Sequence, residues 1–197
     1  MYNQFVIGGA LRDKFSDEEF FLLCRQNSDL RIERNNKGEI IIKPPVNSET
    51  GNLEGIVEGE LYIWNKKARS GRVFSSSAAF TLPDNSVYSP DASWVSNASW
   101  KAAPAGSRKK FARIVPEFVA ELRSPSDSIR FLHTKMENWI RNGVRLAWLI
   151  DPDAETVWIY RAAGQPQELA GFHNQLSGED VLPGFVFDLE ELIIAKK

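Results

Sequence analysis

The chain has 197 residues, 43% of them hydrophobic and 25% charged, which suits one folded domain with a sizeable core. One cysteine and two histidines exclude an internal disulfide and nearly exclude a His/Cys zinc site, so any metal would need oxygen ligands, as a hard cation such as magnesium or manganese accepts. A net charge of −2 supplies no global field for nucleic acid; no run has the length of a membrane span, and Met1–Phe15 lacks a secretory pattern, so a reducing, cytoplasmic setting is expected.

Ser16-Asp-Glu-Glu19 is a capping box, and Phe20, Phe21, Leu23 and Cys24 supply the apolar positions of a short helix. Leu30–Arg34 and Glu39–Lys43 flank Asn-Asn-Lys-Gly, which predicts a hairpin, and Pro44-Pro45 ends it. Leu53, Ile56, Val57, Leu61 and Trp64 recur at three- and four-residue spacings and predict a helix over 49–68. Gly71–Leu82 reads as a strand, Pro83–Ser86 as a turn, and Val87–Val95 as a second strand carrying Ser89-Pro90-Asp91. Residues 101–113 read as a loop holding Lys101, Arg108, Lys109, Lys110 and Arg113, with no acid among them.

Phe118, Val119, Ala120 and Leu122 form a strand-like apolar run that Glu121 interrupts. A carboxylate there is costly unless it is paired, protonated or bound to a cation. Ser124 as N-cap, Pro125 at the first helical position and Asp127 closing a capping box predict a helix start, and Leu132, Met136, Trp139 and Ile140 continue the helix until Asn142-Gly143 stops it. Lys135, ten positions past Pro125, would then lie about three turns into the helix, beside its apolar stripe. Arg145–Asp151 and Glu155–Arg161 read as strands, and the crossover from residue 117 to 151 predicts a parallel, right-handed connection. The tail from Gln165 is loop-rich, with a last helical turn at Asp188–Ile194. The whole predicts an α/β domain with a mixed central sheet flanked by helices: an N-terminal helix and hairpin over 15–45, a core over 49–161 and a C-terminal tail over 162–197.

Two acids stand in strands, Asp91 after a proline and Glu121 inside the apolar run. If those strands are neighbours, about 4.8 Å apart, both carboxylates can reach one cation. Glu121 and Arg123 are two apart and so are expected on one strand face. Plainer readings exist for each: Asp91 capping a turn, Lys135 covering Trp139 with its stem at the surface, the basic loop simply solvated. Glu33 reads as a solvated strand residue beside Arg31 and Arg34, and less strongly as an accessory acid.

Asp91, Glu121 and Lys135, in that order, resemble the PD-(D/E)XK nuclease superfamily. The closer resemblance is to the Uma-type family of endonuclease-like proteins. It is carried by Arg31-Ile-Glu-Arg with Gly38-Glu-Ile-Ile-Ile, Ser89-Pro-Asp-Ala-Ser-Trp94, Pro116–Asp127, Lys135-Met136, and Asn142-Gly-Val with Trp148-Leu-Ile-Asp-Pro152. The resemblance implies a restriction-endonuclease-like fold and a metal-dependent endonuclease acting on DNA. It implies that Asp91 and Glu121 bind magnesium or manganese, with Lys135 as third catalytic residue. The superfamily pattern expects that lysine at position 123, where this chain has Arg123; an arginine stays protonated, so it can bind phosphate but not act as a base. Arg108, Lys109 and Lys110 are the further candidates for contact with the DNA backbone. A hydrolase of another phosphodiester and a non-catalytic interaction module with the same fold remain as alternatives, and a homodimer is left open.

Overall fold

The computed structural model describes residues 5–8 and 15–196; the rest of the N-terminal stretch Met1–Phe15, read above for a secretory pattern, lies outside the described residues. The chain begins with β1 (Phe5–Ile7), α1 (Asp17–Gln26), β2 (Arg31–Arg34), β3 (Ile40–Lys43) and α2 (Ser48–Ala68). It continues with β4 (Gly71–Ser75), β5 (Phe80–Thr81), β6 (Val87–Tyr88), β7 (Ala92–Ser96), α3 (Asn97–Ala102) and β8 (Phe118–Leu122). It closes with α4 (Ile129–Arg141), β9 (Leu146–Asp151), β10 (Thr156–Arg161), β11 (Gln167–Ala170), β12 (Gln175–Ser177), β13 (Val186–Asp188) and α5 (Glu190–Ile194). None of these helices is long and apolar enough to cross a membrane.

Among the described residues, a six-stranded sheet runs in the order β11-β10-β9-β8-β7-β4 and a five-stranded sheet in the order β1-β3-β2-β6-β5. In the larger sheet β8 and β9 pair in parallel, as the crossover through α4 requires, and the other neighbours pair antiparallel. Every residue of β8 is buried because helices cover both faces. Phe118, Ala120 and Leu122 face Leu53, Val57 and Leu61 of α2, whereas Val119 faces Leu132, Met136 and Trp139 of α4. The period-2 alternation of the strand thus serves two cores at once.

Three expectations are corrected. The stretches 71–82 and 87–95 are not continuous strands; each breaks where the chain passes between the two sheets. The first break falls at the Ser75 carbonyl, which closes a turn by accepting from the Ala78 amide at 3.0 Å, and the second at Ser89-Pro90-Asp91, where proline has no N–H to continue a ladder. The helix after β8 does not start at Ser124. Ser124 and Asp127 bond to each other (2.7 Å from hydroxyl to carboxylate, 3.0 Å from amide) and close a turn, and the true N-cap is Ser128. Lys135 therefore lies six residues beyond Ile129, or just under two turns into α4. Finally, the stretch expected as loop over 101–113 begins inside α3, capped by the Ser96 hydroxyl on the Ser99 amide at 3.1 Å.

Close approach at one glycine gives a stability test. A Cβ at Gly71 would lie 2.3 Å from the Val95 carbonyl oxygen and 2.4 Å from the Trp94 ring, whereas one at Gly55, on the open side of α2, would meet nothing within 4 Å. Gly71→Ala is expected to destabilise by about 1–3 kcal/mol through overpacking, and Gly55→Ala to stabilise by up to about 1 kcal/mol through helix propensity. Urea midpoints of the two variants against the parent check both signs.

Candidate active site

The crossing between the sheets brings the chemistry together. Tyr88 ends β6 in the smaller sheet, Ala92 opens β7 in the larger one, and Asp91 sits at the junction. β7 pairs with β8 through Ala92 opposite Ala120, so Asp91, just before β7, and Glu121, near the end of β8, are brought to neighbouring positions. Asp91 is held from two sides: Oδ2 accepts from the Leu122 amide at 2.8 Å, and Oδ1 accepts from Arg31 at 3.2 Å. Glu121 turns towards α4, where Oε1 accepts from the Trp139 indole at 3.0 Å and both oxygens meet the Lys135 ammonium at 2.7 and 2.9 Å.

Lys135 is only 2% exposed, so its reading as a surface residue is overturned. The cause is its register: it lies within the stripe formed by Leu132, Met136 and Trp139, which α4 lays on the sheet. Its ammonium also donates to Glu33 Oε1 at 2.8 Å, lies 3.5 Å from the Ser89 carbonyl and sits 5.3 Å from the centre of the Tyr88 ring. Glu33, expected in solvent, is 3% exposed. Its Oε1 accepts the Ser89 amide at 3.0 Å as well, and its Oε2 has no hydrogen-bond partner among the described residues, with Lys43 at 3.9 Å.

One ammonium thus serves two buried carboxylates, and their proton affinities split. Burial alone would raise both. At Glu33 the charges of Lys135 and Lys43 outweigh burial and hold the carboxyl well below its ordinary range. At Glu121 burial dominates, Lys135 offsets part of it and Asp91 repels, so the carboxyl is pushed up. Burial opposes the charge on Lys135, but Glu121, Glu33 and Asp91 together push its pKa above that of an ordinary lysine. In this arrangement Lys135 is a fixed positive charge.

A cavity of about 30 Å³ opens beside these groups, lined by Asp91, Glu121, Glu54, Arg31, Lys43 and Asp127 among others. Glu54 is the acid that sequence reasoning missed. It comes from α2, one residue past the buried Leu53, and no side-chain hydrogen bond or ion pair fixes it among the described residues. Glu49, Glu58 and Glu60 on the same helix carry the same residue type, so only its position at the edge of the Leu53–Val57–Leu61 stripe could have marked it. Burial, then repulsion from Asp91 and Glu121, pushes the Glu54 carboxyl up to about 7, against the pull of Arg31 and Lys43.

The other candidate cations lie apart. Arg123 does not share the cavity with Glu121: β8 ends at Leu122, and the guanidinium pairs with Asp151 at 2.6 Å beside Asn47, Thr50 and Pro152. Arg108 donates to the Ala103 carbonyl at 2.8 Å and stacks 4.9 Å from the centre of the Trp100 ring. Lys110 pairs with Glu18, and Arg113 with Asp17 at 2.5 Å. None of these loop side chains lines the cavity with Asp91.

A mixed sheet sandwiched by helices, with a Pro-Asp turn and a strand glutamate at adjacent strand ends, defines a restriction-endonuclease-like domain. The model of the Uma2 family, described as "Putative restriction endonuclease", matches residues 17–190, and the chain belongs to that family. A crystal structure of a putative nuclease belonging to DUF820 from Anabaena variabilis ATCC 29413 is similar in fold, with a TM-score of 0.75, 21% identity, and coverage of 92% of this chain and 98% of that one. Comparison with curated proteins finds no match.

Glu54 gives the site a pH signature. Between the ordinary glutamate value of 4.5 and about 7, the folded state holds a proton that the unfolded chain releases, so this group's contribution to stability falls as pH rises through that window and stays low above it. In chelator, Glu54→Gln is expected to raise the thermal midpoint over the parent at pH 8 and to leave it nearly unchanged at pH 5. Parallel melting curves of the two proteins at both pH values check this.

Proposed function

We propose that the protein is a metal-dependent endonuclease that hydrolyses phosphodiester bonds in DNA, with Asp91, Glu121 and Glu54 as the carboxylates for a magnesium or manganese ion. The observation that carries this reading is the charge balance of the cavity. Four carboxylates (Glu54, Asp91, Glu121 and Asp127) and two cations (Arg31 and Lys43) line a space of about 30 Å³, and the buried Lys135–Glu33 pair adjoins it through Glu121. That is room for an ion and its water, since one probe sphere takes about 10–15 Å³. The donors are all oxygens, as a hard cation prefers. Among the described residues no three acidic, histidine or cysteine side chains already stand at mutual ligand spacing, because Arg31 and the Leu122 amide hold Asp91 while Lys135 and Trp139 hold Glu121. Loading the site therefore means exchanging Arg31 and Lys135 for the ion.

The bound ion supplies charge neutralisation at the phosphate and a lower pKa for the attacking water. The remaining work falls to the chain. Lys135, kept protonated, stabilises negative charge developing at the phosphate. Arg31 and Lys43 line the cavity wall and take the flanking phosphates once Arg31 leaves Asp91. Arg123 contributes to substrate binding from the adjacent cavity. Lys109, and Lys110 if it gives up Glu18, meet the duplex farther from the scissile bond; Arg108 is already committed to the Ala103 carbonyl and Trp100.

Cleavage of linear, circular and single-stranded DNA, each with manganese, magnesium or chelator, tests the reading. Activity is expected with metal only. Asp91→Asn and Glu121→Gln are each expected to weaken manganese binding, and Lys135→Ala to lower single-turnover cleavage at saturating DNA by about 100-fold or more. Arg123→Ala should act on DNA affinity and leave that rate in place. Parental metal binding by both carboxylate variants would contradict the assignment.

A further inference from the structure

The Lys135 ammonium lies between two acids, and its surroundings are not symmetric. On one side stands Glu121, both of whose oxygens it contacts at 2.7 and 2.9 Å. On the other side stand Glu33 Oε1 at 2.8 Å, the Ser89 carbonyl at 3.5 Å and the Tyr88 ring at 5.3 Å. An ammonium has three donors, so in this state one or more of them is spent on Glu121. The same contact that neutralises Glu121 also blocks it: with Lys135 and Trp139 on its oxygens, it has little left for a cation.

Glu33 has capacity to spare. Its Oε2 is buried and has no hydrogen-bond partner among the described residues. An unpartnered buried carboxylate oxygen is costly and calls for a reason. The backbone amide of Ser89 donates to Oε1 at 3.0 Å and so holds the carboxylate, whose Oε2 lies 3.9 Å from the Lys43 ammonium.

We infer that Glu33 is a positioning residue for Lys135: when Glu121 takes up a cation, the ammonium transfers the donor it spent on Glu121 to the open oxygen of Glu33, which frees Glu121 without leaving a buried charge unpaired. This rests on the metal reading given above and adds to it a residue that is not itself a ligand. The Glu33 carboxylate, the Ser89 carbonyl and the Tyr88 ring already contact the ammonium, so its seat is formed before a cation arrives. The β2–β3 hairpin thereby becomes a working part of the site.

Manganese binding by calorimetry, on variants whose fold is checked by circular dichroism, tests the inference without using activity. Glu33→Gln keeps an oxygen for the Ser89 amide and removes the charge that competes for Lys135. It is expected to weaken manganese binding by about tenfold, the cost of one pKa-unit-sized change in interaction. Adding Lys135→Met to Glu33→Gln removes the ammonium from Glu121 and is expected to restore binding to the parental level or tighter. Adding Lys43→Met to Glu33→Gln gives the same net charge but leaves Lys135 on Glu121, so binding should stay weak. Lys135→Met alone, which does not depend on the folding of Glu33→Gln, should bind manganese more tightly than the parent.

Equal binding by Glu33→Gln and the parent overturns the inference, as does equal rescue by the two double variants, which would reduce the effect to net charge. A Glu33→Gln, Lys135→Met double variant as weak as Glu33→Gln also overturns it, because Glu33 would then be a ligand. No manganese binding by the parent overturns the metal reading and the inference together.

Discussion

One buried ammonium holds this site together. Lys135 joins α4 to β8 through Glu121 and to the β2–β3 hairpin through Glu33, and Glu33 in turn grips the backbone just before Pro90-Asp91. Two sheets and the helix packed on the larger one therefore meet at a single charge. Buried ion pairs are weak evidence for net stability, because desolvation offsets their attraction. Breaking one by removing a partner, however, costs about 3–5 kcal/mol. A fold that keeps such a group in its interior retains a polar site there that apolar packing would replace at little cost.

The surroundings of that charge explain why the acids behave differently. At Glu33 the pull of Lys135 and Lys43 outweighs burial and the carboxyl is held low, whereas at Glu121 burial and repulsion from Asp91 outweigh the same two lysines and the carboxyl is raised. Glu54, with no fixed partner among the described residues, is raised as well. Divergent proton affinities among neighbouring carboxylates mark functional sites more often than structural ones. Here they express a surplus of negative charge that the protein's own cations do not cancel. The geometry further separates the cations into those at the site and those elsewhere. Arg31, Lys43 and Lys135 face the acids, whereas Arg123, Arg108, Lys110 and Arg113 bind other parts of the protein.

Much of this was legible in the sequence. The glutamate inside Phe118–Leu122, the aspartate behind Pro90 and the crossover ending in Leu146–Asp151 each carried a local signal; β8, which holds Glu121, pairs with β9 and with β7, the strand that Asp91 directly precedes. The lysine was legible as a helical residue beside an apolar stripe. Its place against the sheet followed from that stripe; the start of its helix was not legible, because Ser124-Pro-Ser-Asp-Ser128 holds three serines able to cap a helix, and the first closes a turn with Asp127 instead. Glu33 and Glu54 were opaque for a different reason. Each sits in an element rich in like residues, and only long-range packing, against Lys135 for one and Asp91 for the other, distinguishes it from a solvated neighbour. The breaks at Ser76–Ala79 and Ser89–Asp91 likewise depend on there being two sheets, which local pattern does not disclose.

The central claim is that the surplus charge beside Lys135 is the seat of a divalent cation. Crystals grown or soaked with manganese, measured at a wavelength where manganese scatters anomalously, test it most directly. The expected result is one strong anomalous peak within ligand distance of Asp91 and Glu121, with the Lys135 ammonium withdrawn towards Glu33. A cavity free of anomalous signal at saturating manganese, with Lys135 still on Glu121, would contradict the account.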